Sequence, residues 1–138
     1  MPYPEEMVQP MRAEAVEAGA SELRTAADVR ATLEERRGTA LYFINSVCGC
    51  SAASARPGLA SALRGSKRPD RAYTSFAGND VEAVDEIRRS MPGVPPSSPS
   101  MALFKEGRLV AVLERHDIQG TTAEQLSERL GRIFAENC

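Results

Sequence analysis

The chain runs through an unbroken apolar segment, Ala40-Leu41-Tyr42-Phe43-Ile44, shortly before Cys48-Gly49-Cys50 and a small-residue stretch from Ser51 to Leu63. Strand-forming residues without polar alternation fit a strand covered on both faces, as in the centre of a parallel sheet. The stretch after the cysteines reads as a helix ended by Gly65. The two cysteines therefore stand where a strand hands over to a helix. There, unpaired backbone N–H groups and the positive end of the macrodipole stabilise a thiolate, so the placement suits reactivity better than packing. The glycine between them lets two sulfurs one residue apart approach, and a ring that small is expected to be strained and readily reduced.

The remaining pattern predicts what surrounds this strand. Met7, Val8, Met11, Ala15 and Ala18 recur at helical spacing over 5–18, with Pro10 expected to kink or split the helix. Thr25 and Asp28 form a capping box for a helix over 26–37 that Gly38 ends. Pro57 is expected to kink the helix over 51–63. A second strand over 71–77 and a helix over 80–90 continue a strand, helix, strand, helix order, which favours parallel strands with right-handed crossovers. The stretch 91–100 holds four of the nine prolines and reads as an irregular loop. It leads into a hairpin of strands 101–104 and 109–113, and Thr121 with Glu124 caps a final helix to about Ala135. The sum is an α/β fold: a four-stranded mixed sheet flanked by helices, in the thioredoxin-like arrangement. One domain spans 1–138, with an N-terminal helical segment over 1–38 and the core over 39–138.

A length of 138 residues and an apolar share of 42% suit a single core. Seventeen basic against nineteen acidic residues, without a basic cluster and with 5% aromatics, argue against nucleic acid as a partner. No apolar run approaches the ~20 residues that span a bilayer, and the start MPYPEEMVQP lacks a signal peptide's basic and apolar parts. A cytoplasmic protein without a membrane partner is expected. In a reducing compartment, cysteines are more often catalytic or metal-binding than structural.

Thiol–disulfide exchange needs an attacking thiolate and a resolving thiol, and Cys48 and Cys50 supply both. The competing reading is a metal or iron–sulfur binding or carrier protein, with His116 and the terminal Cys138 completing a four-ligand set. Pro99, preceded by Ser98 and leading into a strand, is expected to be cis and to lie against the dithiol, with Ser98 presenting its backbone to substrate. Arg56 is a candidate to lower the thiolate pKa or bind a substrate carboxylate. His116 is a candidate for proton transfer, and Cys138 for a redox relay if the last helix returns it to the site.

Asn45-Ser46-Val47-Cys48-Gly49-Cys50, Ala55-Arg56-Pro57, Phe76-Ala77-Gly78, Pro96-Ser97-Ser98-Pro99-Ser100-Met101-Ala102 and Arg115-His116 to Gly120 resemble, in this order, the motifs of the bacilliredoxin family. The resemblance covers nearly the whole chain. It implies a thioredoxin-like fold with a C-G-C active site, Cys48 as nucleophile and Cys50 as resolving thiol. It further implies removal of bacillithiol from mixed disulfides on cytoplasmic proteins, with disulfide reductase or isomerase activity. Bacillithiol would serve as thiol co-substrate, with no bound cofactor. Where the family often ends in His-Cys, this chain ends in Asn137-Cys138.

Overall fold

Every residue of strand β2 (Thr39–Asn45) is buried, in a computed structural model that describes residues 2–138. Its neighbours are β3 (Arg71–Phe76), which is parallel to it, and β4 (Ser100–Lys105), which is antiparallel. The last strand, β5 (Arg108–Leu113), pairs antiparallel with β4 across a two-residue turn in which Glu106 and Gly107 both have positive φ. This is the backbone that a tight hairpin needs. Beyond β3 lies a strand absent from the sequence reading, β1 (Ser21–Glu22), parallel to β3. The sheet thus has five strands in the order β1-β3-β2-β4-β5. Two residues are too few to display the alternation by which a strand is recognised.

Side chains alternate across the sheet and feed two cores. Leu41 and Phe43 face one side with Leu59 of α3 (Arg56–Ala62) and with Leu126 and Phe134 of α6 (Ala123–Asn137). Tyr42 and Ile44 face the other with Val29 of α2 (Ala26–Glu34) and with Val84 and Ile87 of α4 (Val81–Arg89). Each such buried side chain contributes about 1.5–3 kcal/mol. A short helix, α5 (Arg115–Ile118), follows β5.

The helices depart from expectation for local reasons. The first, α1 (Glu5–Ala18), is continuous through Pro10, whose missing N–H deprives only the Glu6 carbonyl of its helical donor. The expected kink at Pro57 is replaced by a π-helical turn over Ser51–Ala55, in which the Arg56 N–H bonds to the Ser51 carbonyl. Widening the ring by one residue places Pro57 at the start of α3, where its lack of a donor is tolerated. Helix α2 has the expected Thr25–Asp28 capping box but stops at Glu34, because Glu35 is already extended. Gly38, with φ +71°, instead makes the turn into β2, where its carbonyl accepts the Glu106 N–H at 2.9 Å. The final cap lies one residue later than expected, at Thr122 with Gln125.

Helix α1 is fastened to the sheet by Arg12, only 3% exposed. Its guanidinium donates to Asp80 at 2.8 and 3.0 Å, to Glu5 and to Glu22, and lies 5.4 Å from the centre of the Phe76 ring. Asp80 also accepts the Phe76 N–H at 2.8 Å. The ion pair therefore fixes the turn that leaves β3.

Candidate active site

Asn45 ends β2 and begins the site. Its side-chain Oδ1 accepts the Ser46 N–H at 2.9 Å and Arg56 Nη1 at 3.0 Å, while its Nδ2 donates to the Met11 carbonyl of α1 at 3.0 Å. Arg56 Nη1 also donates to the Ser46 carbonyl at 3.1 Å, and Nε donates to Glu14 at 2.7 Å. Each polar group buried at the strand end is thus satisfied, which holds the following loop in one place. Ser46 Oγ next accepts the Cys48 N–H at 3.2 Å and lies 3.1 Å from Ser51 Oγ. The Ser51 N–H closes the turn on the Cys48 carbonyl at 2.9 Å.

Cys48 and Cys50 are both free thiols and partly exposed. The Cys50 N–H donates to Cys48 Sγ at 3.4 Å. The Cys50 thiol, acting as hydrogen-bond donor, is the largest influence holding the Cys48 pKa below the ordinary thiol value; the Cys50 amide and the positive charge of Arg115 add to it. Cys50 moves the opposite way, raised first by burial and then by its interaction with Cys48. A pair divided in this way has one sulfur disposed to ionise and attack and a second that keeps its proton while the first is charged.

Cys48 lines a groove of about 410 Å³ together with Tyr3, Gly78, Arg88, Ser98 and Arg115 among others. Tyr3 is held there by a pair of hydrogen bonds to Asn79: its N–H donates to Asn79 Oδ1 and its carbonyl accepts from Nδ2, each at 3.0 Å. Gly78, with φ +92°, runs so close beneath the Tyr3 ring that a Cβ would come within 3.0 Å of it. The Ser98–Pro99 bond is cis, as the sequence predicts, with Ser98 on the groove and Pro99 buried.

Comparison with known proteins agrees with this geometry. Residues 3–138 match the family model described as disulphide isomerase. A bacilliredoxin of Geobacillus kaustophilus is 49% identical over 137 residues, covering 99% of this chain and 94% of the relative. One from Cytophaga hutchinsonii is 46% identical, covering 97% and 98%. The chain belongs to the bacilliredoxin family. Among solved structures, a protein with a thioredoxin fold superposes with a TM-score of 0.61 at 18% identity, over 79% of this chain and 91% of that one. Thioredoxin from Aeropyrum pernix gives 0.50 at 19% identity, over 77% and 83%. The fold is thioredoxin-like, and this bacilliredoxin-family chain is a thiol–disulfide oxidoreductase.

Three sequence expectations need correction. Arg56 does not face the thiols: it is 4% exposed and its guanidinium is engaged by Glu14, Asn45 and Ser46 behind the loop. Its work is to brace the strand end, and the cation acting on Cys48 is Arg115. Cys138 is not returned to the dithiol. Gly58 lies against Ala123 and Leu126, and Ser61 bonds to Ser127, so α6 runs alongside α3 in the same direction, away from the site. Its fifteen residues carry the terminus about 22 Å from that end. The four-ligand set of Cys48, Cys50, His116 and Cys138 is therefore not assembled. His116 is exposed on α5, with Nε2 3.7 Å from Asp117, and is not part of the groove wall. Among the described residues, the grouping with metal-ligand spacing is Glu114, His116 and Asp117, without a cysteine.

Sequence reasoning missed Tyr3, Arg88 and Arg115, which come from three distant segments and meet only in the folded chain. The one available signal is Arg115 itself, within the Arg115-His116 motif.

Proposed function

We propose that the protein removes bacillithiol from mixed disulfides on cytoplasmic proteins, with Cys48 as nucleophile and Cys50 as resolving thiol. The observation that carries this reading is the split dithiol: a Cys48 pKa pulled down beside a Cys50 pKa pushed up, at the mouth of an open groove. The Cys48 thiolate attacks the bacillithiol sulfur. The mixed disulfide breaks, the client cysteine leaves as a thiolate that takes a proton from water, and bacillithiol is left joined to Cys48.

Capping Cys48 removes its charge. Burial continues to raise the Cys50 pKa, but the opposition of a neighbouring thiolate is gone, so Cys50 ionises more readily once there is an adduct to resolve. Its thiolate attacks Cys48 Sγ and expels bacillithiol, leaving a Cys48–Cys50 disulfide. Two further bacillithiol molecules return this to the dithiol and leave as bacillithiol disulfide. Alternatively, one free bacillithiol attacks the bacillithiol sulfur of the adduct, leaving as bacillithiol disulfide and regenerating the Cys48 thiolate. Run against a client disulfide, the same two thiols perform reduction or isomerisation. Among the described residues no helix is long and apolar enough to cross a membrane.

The test is turnover of a bacillithiolated carrier protein with bacillithiol supplied as reductant. Many client thiols regenerated per enzyme, at a rate well above that of free bacillithiol alone, supports the reading. A rate equal to that of bacillithiol alone contradicts it.

A further inference from the structure

The groove in front of Cys48 is walled by two arginines and by no acidic residue. Arg88 reaches it from α4 and Arg115 from the first residue of α5. Both are fastened to the loop before Pro99 through one residue: Arg88 Nη2 donates to the Ser97 carbonyl at 3.3 Å, and the Arg115 N–H donates to Ser97 Oγ at 3.1 Å. Arg88 Nε is buried without a hydrogen-bond partner. Among the described residues, no carboxylate forms an ion pair with either guanidinium, although Arg12, Arg30 and Arg56 each have one.

A guanidinium anchored on the loop at Arg88 and an exposed one at Arg115, on the wall of the same groove as a nucleophilic sulfur, with unused donors and no ion-paired carboxylate, are suited to planar oxyanions. A thiolate formed at Cys48 adds negative charge to the same groove, so a carboxylate entering without these cations would be repelled. We infer that Arg88 and Arg115 form a carboxylate cradle that holds the small-thiol half of a mixed disulfide with its sulfur turned to Cys48. The ligand class is a low-molecular-weight thiol that bears carboxylates. The cradle rests on the reading of Cys48 as the nucleophile. It deepens that reading, because the malyl group of bacillithiol carries such carboxylates. It also assigns selectivity to the small thiol rather than to the client surface.

The experiment compares mixed disulfides of one carrier protein with mercaptosuccinate, a dicarboxylate, and with 2-mercaptoethanol, which is neutral. The quantity read is the ratio of kcat/KM for the two. Any change that Arg115 makes to the Cys48 thiolate acts on both substrates and cancels in the ratio. The ratio should favour mercaptosuccinate in the wild type and decline with added salt. Losing charge-assisted bonds should lower it about tenfold in Arg115→Gln and in Arg88→Gln, with partial recovery in Arg88→Lys. Arg115 is exposed, so its variant remains informative if the partly buried Arg88 variants fold poorly. An unchanged ratio in Arg115→Gln and in any folded Arg88→Gln overturns the cradle. Bacillithiol as a third adduct separates the two claims: its release with arginine-independent ratios leaves the proposed function standing and removes the cradle. Arginine-dependent release of mercaptosuccinate without release of bacillithiol does the reverse.

Discussion

The Cys50 amide donates to Cys48 Sγ across 3.4 Å, so the backbone of one cysteine supports the thiolate of the other. The Cys50 side chain adds a second donor, and it is the larger influence on the Cys48 pKa. Replacing Cys50 by Ala removes the side-chain donor and keeps the amide, whereas Ser keeps both. The Cys48 pKa should therefore rise in Cys50→Ala and rise less in Cys50→Ser. In the wild type, alkylation of Cys48 should accelerate with pH and reach its half-maximal rate at a lower pH than a free thiol does, because the thiolate is the reacting form and its pKa is depressed. Thiolate absorbance titration of the variants checks both statements. Equal pKa values in the Ala and Ser proteins would remove the thiol donor from the account.

Arg56 separates bracing from electrostatics. Arg56→Met strips donors from Asn45 Oδ1 and the Ser46 carbonyl, and each hydrogen bond made by a charged group is worth about 1.5–3 kcal/mol. Glu14, half exposed, regains water and softens the loss. Denaturant unfolding should show a clear fall in stability. Arg115→Gln should shift the Cys48 titration upward with little change in unfolding.

The Arg12–Asp80 pair predicts a larger and coupled effect. Both groups are at most 6% exposed, so Arg12→Met leaves a buried carboxylate without its partner and should cost about 3–5 kcal/mol. Asp80→Asn should also destabilise, and the double variant should lose less than the sum of the two. Chemical denaturation of the four proteins measures the coupling, and additive losses would deny it.

Two helical glycines make opposite predictions. A Cβ on Gly58 would meet Leu126 at 3.0 Å and the Ala123 carbonyl at 3.1 Å, so Gly58→Ala should force α3 and α6 apart at about 1–3 kcal/mol. Gly131, within α6, has nothing within 4 Å of that position. Gly131→Ala should stabilise by up to about 1 kcal/mol through helix propensity. Thermal unfolding of both variants decides it.

What could be read in the sequence was carried by local signals. The apolar run of β2, the Thr25–Asp28 box, the Glu106-Gly107 turn and the Ser98–Pro99 loop each announce their structure within a few residues. The dithiol was visible for the same reason. Arg12 was not, because its position in an amphipathic helix gives no hint that Glu5, Glu22 and Asp80 converge to neutralise it. The role expected of Arg56 falls to Arg115 because closeness in sequence is a poor guide to which side of a loop a long side chain occupies. Arg56 is six residues past Cys50 and points behind it, whereas Arg115 is distant and faces the sulfurs. The two-residue β1 exists only because Leu23 and Ser21 find partners on β3.

The order of attack is tested most directly by trapping. Cys50→Ser and Cys48→Ser proteins are each mixed with a bacillithiolated carrier, quenched with acid and examined by intact mass and peptide mapping. The account predicts a bacillithiol adduct on Cys48 in the Cys50→Ser protein, with the carrier thiol freed, and no adduct on Cys50 in the Cys48→Ser protein. An adduct on Cys50 with none on Cys48 would contradict it.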